Sequence, residues 1–394
     1  MTTTPRELAT DTIGVIGGGQ LAQMLAEAAR QRGVALAVQC SSREDPAAAL
    51  ASRLVEANPL DAAASRELVA GCQGVTFENE WIDLDALMPL ERQGVRFRPT
   101  LASLKPLVDK LEQRQLLDDL AIPGPAWVPL RSIDPGAPSL PKGWVFPVMA
   151  KAARGGYDGK GTRILQSIDD LAQLLRTVDP GAWLLEAWVA YERELALVVS
   201  RDGKGRVRSL PLVETHQNQQ VCDWVLAPAP VEQLVEATAY NMAASLLTKL
   251  NYVGVMALEF FYGPQGLLVN EIAPRTHNSG HFSIEACSSS QFDQQLCIAA
   301  GLPVPDPDLL CQGALMVNLL GLDADQATPL EQRLQALKAD PRFHLHWYGK
   351  AEESPGRKLG HVTVLLEQTD GEGRFHEARE LRGAIRAIWP LPLD

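Results

Sequence analysis

The chain has 394 residues, 46% hydrophobic and 21% charged, with a formal net charge of -12 at pH 7. That length exceeds a comfortable single core and predicts two or three domains. The acidic balance argues against a nucleic-acid surface, and no apolar run approaches the roughly 18 residues that span a bilayer. The N-terminal MTTTPRELATDT has neither the basic start nor the apolar core of a secretory signal, so the expectation is a cytoplasmic protein with no membrane or nucleic-acid partner. Six irregularly spaced cysteines (Cys40, Cys72, Cys222, Cys287, Cys297 and Cys311) then read as reduced, mostly buried thiols.

Residues 13–16 read as a short apolar strand and Gly17-Gly18-Gly19 as a turn, after which Leu21, Met24, Leu25, Ala28 and Ala29 recur at helical spacing. Further strands are expected at 34–38 and 74–77. Alternating strands and helices favour a parallel sheet. The turn fits G-x-G-x-x-A, whose helix start can bind phosphate. A nicotinamide site would need an acid after the second strand, and the chain has Cys40-Ser41-Ser42-Arg43 there. A phosphate-bearing substrate is the better expectation, and a tight turn with no ligand is the bland one.

A Leu-rich helix is expected over 105–120, ending at Ile122-Pro123-Gly124-Pro125. Beyond this first boundary, strands are expected at 144–150, 183–188, 194–199, 254–261 and 266–272, with helices at 169–176 and 231–250. The Pro- and Asp-rich run 302–309 marks a second boundary. Strands at 314–319, 345–348 and 360–366 and a helix at 377–388 close the chain. The segments are therefore 1–112, 113–301 and 302–394.

The strongest chemical signal is a hairpin. Pro264-Gln265-Gly266 suits a three-residue loop built on a type I turn. That loop pairs Gly263 with Leu267, Phe261 with Val269, and Glu259 with Glu271, placing both acids on one face. Two carboxylates roughly 5 Å apart repel by roughly 3 kcal/mol at an effective dielectric near 20. A shared proton would relieve this, as would a hard cation such as Mg²⁺ that also holds phosphates. Asn270 offers a third oxygen. The bland alternative is a pair splayed into solvent.

Lys151 ends a strand and precedes Gly155-Gly156-Tyr157-Asp158-Gly159-Lys160-Gly161, a stretch suited to close over phosphates but lacking the GxxxxGK[ST] spacing. Glu186-Ala187-Trp188-Val189 ends another strand, where free backbone groups could hold an adenine edge. His277 and His281 have i,i+4 spacing, but Pro274, Asn278 and Gly280 argue against a helix and a zinc pair. His344 and His346 read as ordinary sheet residues.

Lysine strand, glycine loop, E-x-x-V hinge and late NE hairpin, in that order, resemble the ATP-grasp superfamily. GGYDGKG, VGVMALEF, LLVNEIAPRTHNSGH and HWYGKAEESPGRKLGH resemble, within it, the 5-(carboxyamino)imidazole ribonucleotide synthase family. The resemblance implies an α/β protein, α+β in part: an N-terminal Rossmann-like parallel sheet, a central ATP-grasp domain of antiparallel sheets with helices, and a small C-terminal β-rich domain. It implies a purine-biosynthetic ligase acting on ATP, bicarbonate and aminoimidazole ribonucleotide, with Mg²⁺ as cofactor, and a homodimer.

By the same resemblance Lys110 and Lys151 meet ATP phosphates, and Gly156, Tyr157, Asp158, Gly159, Lys160 and Gly161 form the lid. Glu186, Ala187, Trp188 and Val189 sit against adenine, with Glu194 on the ribose and Gln217 beside the nucleotide; His216 is an alternative to Gln217. Glu259 and Glu271 hold the metal beside Asn270. Tyr157, Lys151, Arg275, His277 and Asn278 surround bicarbonate or carboxyphosphate. Gly19, Gln20, Leu21, Glu78, Lys350 and Arg357 hold the ribonucleotide. Ala22 stands where the family usually has Gly. The γ-phosphoryl group of ATP would activate bicarbonate, and the substrate amine would attack carboxyphosphate or the CO₂ it releases, under a closed lid. Three alternatives stand beside this reading. One is another ligase of the superfamily, such as the formate-dependent glycinamide ribonucleotide transformylase. The others are a nicotinamide oxidoreductase and a non-catalytic ATP-binding protein.

Overall fold

The computed structural model describes residues 12–156, 161–323, 328–350 and 352–392. β1 (Thr12–Ile16) runs into the glycine turn and α1 (Gln20–Gln31), followed by β2 (Ala35–Cys40), β3 (Arg53–Glu56), α2 (Ala62–Val69), β4 (Gly74–Phe77) and α3 (Leu84–Arg92). The strands form a parallel sheet in the order β3-β2-β1-β4, as the alternation predicted. β3, α2 and α3 escaped the reading because each is short. Asp61 and Asp83 accept the free N–H groups at the two helix starts, which is their legible signal.

The single helix expected over 105–120 is two. After α4 (Leu101–Leu104) and a 3₁₀ turn at Lys105–Leu107, Asp109 leaves the helical conformation. Its carboxylate caps a fresh helix, α5 (Lys110–Asp119). That break puts Lys110 at the start of α5 and Arg114 one turn on, on the same side. The boundary expected at 112 falls inside this helix.

A four-stranded antiparallel sheet follows: β5 (Trp127–Pro129), β6 (Val148–Ala152), β7 (Thr162–Leu165) and β8 (Trp183–Ala187), ordered β5-β8-β6-β7. α6 (Ile168–Thr177) covers it with Leu171, Leu174 and Leu175. The strand expected from 144 begins at Val148.

The largest sheet has nine strands among the described residues. Its strands are β9 (Arg193–Arg201), β10 (Val207–Ser209), β11 (Val213–Asn218), β12 (Val221–Ala227), β13 (Gly254–Gly263), β14 (Gly266–Ala273), β15 (Gly313–Leu320), β16 (His344–Trp347) and β17 (Lys358–Leu366). The order is β14-β13-β9-β11-β12-β15-β17-β16, with β10 paired to β9. Because β12 pairs with β15, the sheet runs unbroken across the boundary expected at 301. The helices here are α7 (Gln233–Lys249), α8 (Ser283–Ala286), α9 (Gln291–Ala300), α10 (Leu330–Ala339) and α11 (Gly371–Ile388). α11 starts earlier than expected because Asp370 caps it.

Strand alternation decides what each face does. Leu195, Leu197, Leu258, Phe260, Val269 and Ile272 share one core with Ala243 and Leu246 of α7, each large apolar side chain contributing about 1.5–3 kcal/mol on burial. On the opposite face Ala196, Val198 and Ala257 pack under Phe282 and Ala286. Further along that face stand Glu194, Glu259 and Glu271. α9 joins this sheet to the parallel one. Phe292, Leu296 and Ala299 share a core with β1 and α1, and a Cβ on Gly74 would lie 2.1 Å from the Ala299 carbonyl. Among the described residues, no helix is long and apolar enough to cross a membrane.

Candidate active site

The hairpin places Glu259 opposite Glu271, as the sequence predicts, by a route the sequence reading missed. Pairing starts at Gly263–Gly266 and continues through Tyr262–Leu267, Phe261–Leu268 and Phe260–Val269. The register then slips by one residue before Glu259–Glu271. The extra residue expected in the turn sits at Asn270 instead, as a β-bulge. Gly266 still adopts φ +78°, the left-handed conformation expected of it. The bulge changes the chemistry. In an even strand Asn270 and Glu271 would face opposite ways, whereas the bulge turns both toward the same cleft.

Two lysines meet them there. The Lys110 ammonium hydrogen-bonds Glu271 Oε1, and Lys151 Nζ donates to Asn270 Oδ1 at 2.9 Å. Lys151 is also held by Glu186 Oε2 at 2.8 Å, and Arg114 Nε donates to the other Glu186 oxygen at 2.6 Å. Burial works against the Glu186 and Lys151 charges. For Glu186 the neighbouring Lys151 and Arg114 outweigh it and keep its carboxyl below the ordinary range. Burial lowers the Lys151 ammonium despite Glu186.

The acid pair divides. Burial, then the charges of Glu271 and Glu194, push Glu259 up to about 7. Glu271 moves down, because Lys110 outweighs its burial. Near neutrality Glu259 is therefore about half protonated, and Glu271 carries the charge. Both groups remain accessible, with side chains 26% and 38% exposed. Among the described residues no cluster of three or more His, Cys, Asp or Glu side chains forms a self-sufficient metal site. Two carboxylates and an amide oxygen are an incomplete hard-oxygen set, the kind that a magnesium ion carrying phosphates would complete.

The loop after β14 supplies the other side. Arg275 Nε donates to Glu80 Oε2 at 2.6 Å, across 195 residues of chain. Burial opposes the Arg275 charge, and Glu80 more than offsets it. His277 Nε2 lies 3.3 Å from Glu259 Oε1, and its Nδ1 faces Ser279 Oγ at 2.9 Å. Burial and the nearby Arg275 hold His277 well below its ordinary range, so its imidazole is neutral. Gln291 grips the loop, accepting from the His277 N–H at 2.8 Å and donating to its carbonyl at 2.7 Å. The Asn278 amide pairs with Asn318 on β15, with contacts of 3.0 and 2.7 Å. His281 lies buried behind the site against Gln291 and the His361 ring. His346 stands on β16, as expected of a sheet residue, stacked on His361 with Nε2 2.6 Å from Glu285 Oε1.

The Glu186 carboxylate is taken up by Lys151 and Arg114, so its side chain is not free to meet a ligand. Ala187, Trp188 and Val189 follow at the strand end, with Trp188 46% exposed. Glu194 accepts from the Tyr191 hydroxyl at 2.6 Å. It pairs with Thr215 and Phe261, and the β11–β12 register shifts between His216 and Gln217. His216 points the other way, stacked on Trp224 and 3.4 Å from Asp223.

At the glycine turn, Glu78 from the end of β4 receives the Gly19 N–H at 2.7 Å. A Cβ on Gly19 would lie 2.3 Å from that carboxylate, and one on Gly18 2.2 Å from the Cys40 Cβ. The acid that a dinucleotide site needs after the second strand is absent. The acid present covers the start of α1.

Comparison with known proteins decides the family. Residues 10–106 match the ribonucleotide synthetase preATP-grasp domain, 115–292 the ATP-grasp domain, and 314–371 the phosphoribosylaminoimidazole carboxylase C-terminal domain. The chain is 46% identical over 380 residues to N5-carboxyaminoimidazole ribonucleotide synthase of Synechococcus elongatus, covering 96% of each chain. The chain belongs to the N5-carboxyaminoimidazole ribonucleotide synthase family. Among solved structures, the Aspergillus clavatus synthase complexed with ATP superposes with a TM-score of 0.85 at 29% identity, covering 96% of this chain and 98% of that one. The same fungal enzyme with ADP and 5-aminoimidazole ribonucleotide gives 0.83 at 29% identity, with the same coverage.

Within this synthase-family chain, two of the remaining predicted residues meet across the fold. Lys350 Nζ donates to Gln20 Oε1 and to the Lys358 carbonyl, joining the last segment to the glycine turn. Arg357 stands half-exposed, its guanidinium 3.3 Å from the Glu352 carbonyl. Gly156 and Gly161 approach closely at the foot of the glycine loop, where a Cβ on Gly161 would lie 3.2 Å from Gly156 Cα. Tyr157, Asp158, Gly159 and Lys160 lie outside the described residues. Sequence reasoning missed Arg114, Glu80, Gln291 and Asn318. Arg114 carried a signal, a cation one helical turn after Lys110. The other three act on partners far along the chain and carried none. All six cysteines are free, and Cys40, Cys222, Cys287 and Cys297 are buried.

Proposed function

We propose that the protein carboxylates 5-aminoimidazole ribonucleotide to the N5-carboxyamino product, using ATP and bicarbonate. The supporting observation is that two lysines, a paired acid site and the Arg275–His277 loop converge on one cleft. Lys110 and Lys151 meet the ATP phosphates. A bicarbonate oxygen attacks the γ-phosphorus, the bond to ADP breaks, and carboxyphosphate forms. The exocyclic amine of the ribonucleotide then bonds to the carboxyl carbon, directly or as released CO₂, while phosphate and a proton leave. Arg275, held charged by Glu80, offers a planar fork to the carboxylate oxygens. Neutral His277 beside Glu259 is placed to accept the amine proton. Glu259, Glu271 and Asn270 would hold Mg²⁺, which would supply charge neutralisation at the phosphate oxygens.

The ribonucleotide lies toward Gln20, Glu78, Lys350 and Arg357, and adenine toward 186–189. The lid is 156–161. The reading includes a cytoplasmic homodimer with segments near 1–112, 113–301 and 302–394. The test is ADP release with aminoimidazole ribonucleotide plus bicarbonate, run against glycinamide ribonucleotide plus formate. Turnover is expected only with the first pair, and turnover only with the second refutes the assignment.

A further inference from the structure

β14 is the edge strand of the large sheet, and an edge strand with a bulge has few ladder bonds to hold its shape. Here the free edge is gripped from outside. Pro123 accepts from the Val269 N–H at 2.8 Å. Arg114 Nη1 donates to the Val269 carbonyl and Nη2 to the Asn270 carbonyl, each at 2.7 Å. Nε donates to Glu186 Oε1, which Nη2 also approaches at 2.6 Å, and Glu186 holds Lys151. Lys151 in turn touches the Asn270 side chain. One buried, planar group thus binds both carbonyls of the bulge and the acid that orients the phosphate lysine. Gly124 leaves room for it: a Cβ there would lie 3.2 Å from Arg114 Nη1 and 3.3 Å from the Val269 oxygen.

We infer that Arg114 is a positioning residue: it holds the β14 bulge so that the adjacent Asn270 and Glu271 both face the phosphates. The inference rests on the assignment of Glu259, Glu271 and Asn270 to the metal. A lysine keeps the charge for Glu186 but has no rigid fork to bridge both carbonyls and the carboxylate at once.

The experiment is a Mg²⁺ titration of ADP binding, read by equilibrium dialysis with initial-rate kinetics beside it, on Arg114→Lys, Asn270→Ala, the double variant and Glu271→Gln. Arg114→Lys is expected to raise half-saturating Mg²⁺ by about tenfold or more, the scale of losing a residue that orients a metal ligand. Its KM for the ribonucleotide should not move. Its loss should combine with that of Asn270→Ala to less than the product. A wild-type Mg²⁺ response, or losses that multiply independently, overturns the inference. If Arg114→Lys does not accumulate folded, Gly124→Ala decides, because it displaces the fork without removing it. A rise in half-saturating Mg²⁺ supports the inference, and an unchanged response overturns it. Glu271→Gln separates the two levels: if it responds to Mg²⁺ as wild type does, the metal assignment itself has failed.

Discussion

Magnesium binding should lose affinity in acid, through one group. Glu259 titrates at about 7 in the metal-free protein, and a cation needs it ionised. Its ionised fraction falls from about 0.9 at pH 8 to about 0.1 at pH 6, so apparent affinity should weaken about tenfold, near 1.4 kcal/mol. The sign is reversed for metal-free stability. The folded value lies above the ordinary 4.5, so the folded state binds the extra proton. The stabilisation from Glu259 is complete below about 4.5 and is lost as pH rises through about 7. The assay is Mn²⁺ binding at fixed ADP from pH 5.5 to 8.5, in wild type and in Glu259→Gln. The variant should bind weakly at every pH and lose the part of the slope due to Glu259. Its thermal midpoint without metal should gain on wild type as pH rises. Equal pH slopes in the two proteins would refute the reasoning.

Glu271→Gln should abolish ATP turnover while thermal unfolding stays cooperative, because the acid also faces Lys110 and not the packed core; near-normal turnover removes the metal assignment. Arg357→Ala should raise the KM for the ribonucleotide and leave that for ATP unchanged, which initial-rate kinetics will read. Gly18→Ala should destabilise the protein by about 1–3 kcal/mol, since its Cβ would meet the Cys40 Cβ at 2.2 Å. Denaturant melts measure this, and a neutral result would mean that the turn and β2 move apart freely.

Local order was legible. The glycine turn after β1, the alternation of the hairpin strands, and the lysine ending β6 each follow from residues close in sequence, where strand period and turn chemistry decide the outcome. The hairpin shows the limit. Apolar residues at 267, 269 and 272 shift phase by one, and that shift marks the bulge. Reading the loop as three residues gave the same acid pair by a different path, and so hid it.

What the sequence by itself determined is which side chains could share a face: Glu259 with Glu271, across the hairpin. Only tertiary structure decided what they face. Arg114 reaches Asn270 across 156 residues of chain, and Arg275 reaches Glu80 across 195. Such pairs form because buried charges need partners, and the packing of α5 against β14, with α9 between the two sheets, decides which partners are within reach. The shift of Glu259 to about 7 belongs to that level too. A carboxyl's affinity for its proton depends on burial and neighbouring charge, and both arise when distant segments close around it.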